Sequence, residues 1–100
     1  MTHWSHIEEL AGIGLELADR PNGVIVMSVV AHGPAAGLVL PGSVIISMDG
    51  QPAGADMIAH RVQLGNPLRL TLIRPSGGGI VDVVVRPRIM RITTTIEWEG

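Results

Sequence analysis

The residues best suited to forming a site are the two glycines in Gly12-Ile13-Gly14-Leu15. Glycine has no Cβ, so the backbone there can turn successive N–H groups into one concavity that holds a carboxylate. Leu15 and Leu17, with Glu16 between them, continue as an apolar run. As a strand with one open edge, that run could accept an extended peptide as a further strand. Other candidates for chemistry are weaker. His3 and His6 with Glu9 would share one helix face and could hold a metal, but a solvated chain start explains them better. No other set has metal-ligand spacing, so no metal or cofactor is expected. Ser, His and Asp are present, yet there is no Gly-x-Ser-x-Gly elbow and no cysteine. The carboxylates of Glu8, Glu9, Glu97 and Glu99 read as solvated. Intrinsic enzymatic activity is not expected.

The chain that must position these residues has 100 amino acids, enough for one domain with one modest core. Its hydrophobic fraction is 46%, too high for a disordered segment, yet it has no Phe and no Tyr. Val, Ile, Leu, Met and Ala must therefore build the core, and the β-branched members favour strands. All seven basic residues are arginine, against nine acids, for a net charge of -2. That balance, without basic runs, argues against nucleic acid and against a membrane-surface helix. Residues 1–10 show no secretion-signal pattern, and no apolar stretch approaches the ~18 residues of a membrane span.

Glycine and proline cut the chain into short apolar runs. Strands are expected at 13–18, 24–30, 43–48, 68–74, 80–86 and 91–98, with turns at 19–23 and 49–50 and a hairpin loop at Gly77-Gly78-Gly79. In the last strand Ile92, Thr94, Ile96 and Trp98 alternate with polar residues. A short helical turn is expected at 33–37, with Leu38 and Leu40 giving it apolar contacts. A longer helix is expected at 56–64, capped by Asp56 and ended by Gly65. The fold class is α+β, mostly β. Trp4 and Trp98 are expected to pack on one edge or to mark a contact with a neighbour.

Two segments together resemble the PDZ family. Gly12-Ile13-Gly14-Leu15 is similar to its glycine-hydrophobic loop. Gly33-Pro34-Ala35-Ala36-Gly37-Leu38, Leu40-Pro41-Gly42, Val44-Ile45 and Met48-Asp49-Gly50 follow its order of short helix, Pro-Gly turn, strand and Asp-Gly turn. The resemblance covers 12–86 and implies a partly open β-barrel or sandwich of five to seven strands with one short and one longer helix. It implies a single domain over 1–100, with 91–98 an added strand or a circularly permuted first strand, since the segment before Gly12 reads poorly as a strand. The permuted arrangement would be bacterial in type and protease-associated. Two departures stand out. Ser43 occupies a position where the family usually has Asp or Glu. The approach to the loop, His6-Ile7-Glu8-Glu9-Leu10, is acidic where many members carry a cation.

The resemblance also implies a function, that of a peptide-binding interaction module. An extended peptide or apolar C-terminus would add between the strand at 15–18 and the helix at 56–64. The last ligand side chain would rest on Ile13, Leu15 and Leu64. Met57 would begin the groove helix and read an upstream ligand residue, while Glu16 and Arg61 would tune upstream positions electrostatically. His60 could meet a ligand hydroxyl; as a bare sequence feature it reads as a surface residue, and His32 as a loop residue. Leu17 completes the groove strand. Two further readings compete: a substrate-recognition or regulatory domain of a larger bacterial protease, and a self-associating domain, such as a homodimer, whose groove a neighbour fills.

Overall fold

Strict leucine alternation explains the best-buried strand. In a computed structural model of the chain, which describes residues 2–98 as backbone and 9–91 with side chains, β6 (Leu68–Ile73) buries Leu68, Leu70 and Leu72 almost completely. Period-two alternation puts all three on one face. The partner β7 (Ile80–Val85) pairs antiparallel from Leu68↔Val85 to Ile73↔Ile80. A 3₁₀ turn at Pro75–Gly77 opens the connection, and the Arg74 N–H donates to the Gly79 carbonyl at 2.8 Å to close it. On the outer face the Thr71 hydroxyl (2.6 Å) and the Arg69 guanidinium (3.0 Å) both reach Asp82. These donors hold the Asp82 carboxyl below its ordinary value.

The same sheet continues through β4 (Val44–Met48), β3 (Gly23–Val29) and β2 (Leu15–Arg20) in the order β2-β3-β4-β6-β7, with the short β5 (Gln51–Pro52) paired to β4. β2 and β7 are its edges. The one α-helix among the described residues, α1 (Ala55–Arg61), plants Ile58 in the core cluster that includes Val24, Val26, Ile45 and Met48. A second, two-stranded sheet pairs β1 (Thr2–Gly12) with β8 (Arg88–Trp98) in unbroken antiparallel register, Thr2↔Trp98 to Gly12↔Arg88.

Three expectations are corrected here. The segment 33–39 is a series of tight turns, not a short helix. Its bonds run Ala36 N–H to Gly33, then Leu38 and Val39 N–H both to Ala35, and Gly37 sits at φ +79. Pro34 and Gly37 leave too few residues between them for a helix to propagate. Val39 is the buried residue there, whereas Leu38 and Leu40 are exposed. Secondly, α1 spans 55–61 instead of 56–64. Val62 turns extended (φ -77, ψ 99), and Asn66 Nδ2 donates to the Arg61 carbonyl at 2.9 Å. Asp56 makes no cap bond; Asp19 of β2 supplies one, accepting the Ala55 N–H at 2.9 Å. Thirdly, the segment before Gly12 is a strand. β8 pairs with it along its whole length. The packing expected of Trp4 and Trp98, the side-chain alternation from Ile92 to Trp98, a metal set including His3 and His6, and the solvation of Glu8, Glu97 and Glu99 lie outside the described residues.

Candidate functional site

Gly12 ends β1 and Leu15 begins β2, so the glycine loop is the junction between the two sheets. Gly14 adopts φ +74, a left-handed conformation that favours glycine. The loop's carbonyls are pinned on one side: Ile13 accepts from the Ala35 N–H at 3.2 Å and Gly14 from the Val30 N–H at 2.9 Å. A trans peptide points its N–H opposite to its carbonyl. The N–H groups of Gly14 and Leu15 are thereby turned away from the 30–35 loop. Among the described residues, the N–H groups of Ile13 and Gly14 donate to no backbone carbonyl. The loop thus presents consecutive unpaired donors, the arrangement that cradles an anion.

The adjoining edge of β2 is also open. Because Val30 N–H bonds to the Gly14 carbonyl, Leu15↔Val29 is a non-hydrogen-bonded pair. The N–H and C=O of Leu15 consequently face away from β3, along the free edge. A bulge between Glu16 and Leu17 follows at once.

Between this edge and α1 lies an open groove of about 820 Å³. Ile13 and Ile58 form its buried base, Leu15 and Leu17 its strand wall, and Ala55, Ala59 and Val62 its helix wall. The Asp19–Ala55 bond ties the end of β2 to the start of α1, so the two run antiparallel and the Val62 end of the helix lies toward the glycine loop. Small alanines on the helix side leave the room. At the rim, the Ser28 hydroxyl donates to Glu16 at 2.9 Å.

The structure gathers Gly12, Ile13, Gly14, Leu15, Glu16 and Leu17 around the groove. It does not bring the expected helix residues there. Met57 is half-buried and packs against the core, outside the groove. His60 Nδ1 lies 2.7 Å from the Asp56 carbonyl oxygen, and Arg61 lies 3.7 Å from Asp49. Leu64 is 55% exposed in the turn beyond the helix. The groove face is Ala55, Ile58, Ala59 and Val62. Two residues of offset rotate a helix by about 200°, which carries the expected set to the opposite side. Ala55, Asp56, Ala59, Val62, Met90 and Arg91 also line the groove and were not anticipated. Ala55, Ile58, Ala59 and Val62 keep the i, i+3, i+4, i+7 spacing of one face, so that signal was present in the sequence.

No protein-family model and no curated protein sequence matches the chain. Solved structures do. The PDZ domain of the carboxy-terminal protease from Vibrio cholerae, solved in complex with a peptide, is 22% identical, with a TM-score of 0.68 over 85% of this chain and 100% of that one. The HtrA3 PDZ domain, solved with the phage-derived ligand FGRWV, is 20% identical, with a TM-score of 0.66 over 88% of this chain and 92% of that one. The fold is that of a PDZ domain, mostly β with one α-helix.

Proposed function

We propose that this chain is an interaction module that binds an extended peptide in the groove between β2 and α1, with the ligand's free C-terminus at the glycine loop. The observation that carries the reading is the open edge of β2: Leu15 directs its N–H and C=O outward, next to a loop with unpaired N–H groups and above an apolar base. An added peptide strand would satisfy the edge, its terminal carboxylate would meet the loop, and an apolar last side chain would rest among Ile13, Ala59 and Val62. Both structural neighbours were solved with peptides, one ending in valine. Main-chain bonding plus one apolar anchor gives micromolar affinity, about -7 to -8 kcal/mol. Nothing in this arrangement asks for a nucleophile or a cofactor.

The test is selection from a random C-terminal peptide library, with a matched set carrying amidated ends. Enrichment of apolar-ended peptides that amidation abolishes supports the loop as the carboxylate site. Equal binding of both sets would instead assign the groove to internal strands. No binding at all would sink the reading for the isolated chain and favour a groove filled by a neighbour, visible as a concentration-dependent dimer.

A second reading concerns context. The similarity to the PDZ domain of a carboxy-terminal protease favours a role as the substrate-recognition or regulatory part of a larger bacterial protease. Sequence flanking the chain in its genome decides this: an adjoining protease region supports it, and its absence removes it.

A further inference from the structure

Glu9 of β1 and Arg91 of β8 face each other across the two-stranded sheet, with Arg91 Nη2 3.2 Å from Glu9 Oε1. Arg91 also lines the groove, where it is the sole cation among the described residues; the other charged residues lining it, Glu16 and Asp56, are acidic. Its neighbour Met90 fixes β8 against the glycine loop, for a Cβ at position 12 would lie 2.8 Å from the Met90 sulfur. Arg91 lines the groove together with Leu10, Ala11 and Gly12, the residues that lead into the loop, and a carboxylate of the chain itself already holds it.

We propose that Glu9 is a resident competitor of the ligand: its carboxylate occupies the Arg91 guanidinium that a peptide's terminal carboxylate at the loop would otherwise engage. This rests on the reading that the groove takes a free C-terminus. Guanidinium stays charged and offers five N–H donors in a fork, so it can exchange one carboxylate for another without a proton moving. Three residues of strand, about 10 Å, separate Glu9 from Gly12, so Arg91 would meet a carboxylate at the loop through bridging water and not directly. The pair is largely exposed, at 67% and 56%, so it is weak enough to be displaced. The acidic approach to the loop thus attenuates capture without abolishing it.

The experiment measures binding of a short valine-ended peptide, free or amidated, to the full chain and to Glu9→Gln, Arg91→Gln and the double variant. Glu9→Gln is expected to tighten the free peptide by about two- to five-fold, the range open to an exposed ion pair, and to leave the amidated peptide unchanged. Arg91→Gln is expected to weaken only the free peptide, and in that background Glu9→Gln has no effect. Both substitutions are on the surface, and thermal melts verify that the variants fold. If the parent chain prefers the free peptide and Glu9→Gln shifts neither form, or both equally, this inference fails while the groove reading stands. If the parent chain binds neither form, both fail.

Discussion

The Ser43 side chain sits where the fold has no partner to offer it. Its N–H donates to Leu40 and its carbonyl accepts from Val26, so the backbone is satisfied. Its Oγ is fully buried and has no hydrogen-bond partner among the described residues. An unpaired buried hydroxyl costs about 1–3 kcal/mol. The acid that usually follows the Pro-Gly turn in PDZ domains would bury a charge in this site instead, at greater cost. Ser43→Ala is therefore expected to leave stability unchanged or raise it by up to about 1 kcal/mol, seen as a higher denaturation midpoint at constant slope. A loss above about 1 kcal/mol would mean that water in the small cavity beside Leu72 and Arg74 satisfies the hydroxyl. At this scale the sequence was most readable. Gly12 and Gly14 announce the loop because no other residue type combines a close approach at 12 with a left-handed backbone at 14. Nothing in the sequence pairs Glu9 with Arg91, 82 positions away, because that contact exists only once two strands adopt their register.

Asp19 joins two elements that meet only at the groove. It belongs to β2 and caps α1, where its negative charge also suits the helix start. Asp19→Ala is expected to destabilise the fold by about 1 kcal/mol, the usual loss for a helix cap, and to weaken peptide binding by loosening the groove's far end. Asp19→Asn, which keeps an acceptor, should preserve most of both. Peptide binding by Asp19→Ala equal to that of the parent chain, with stability lowered, would show that the cap stabilises the fold without positioning the groove. The strands were legible from apolar alternation and the Asn22-Gly23 and Asp49-Gly50 turns. The helix was legible as a helix but not by its face. Met57 and Leu64 are bulky and drew the register toward themselves, whereas the face that matters pairs two alanines with Ile58 and Val62. Its end was lost too, because a side-chain bond from Asn66 stops it before Gly65 is reached.

In the molecule as a whole, two strand systems share one joint, the glycine loop. Residues 2–12 and 88–98 pair over their full length, and this could not be read from either segment alone. The early part of β1 carries mixed charges and histidines and lacks a clean alternation; only a distant partner strand makes it extended. The joint is locked where Met90 of β8 lies on Gly12 and approaches Gly14. Packing of that kind has a chemical consequence, since a thioether is open to peroxide. Met90 is half-buried and lines the groove, and its sulfur lies where Gly12 leaves room for it; oxidation would add a polar oxygen at that contact and loosen β8 from the loop end of the groove. Mild peroxide is thus expected to reduce peptide binding in step with Met90 sulfoxide, followed by mass spectrometry, while Met90→Leu resists. Met27, half exposed on β3 and outside the groove, should oxidise without effect. A groove built on glycines and closed by a methionine would then carry its own record of oxidative exposure.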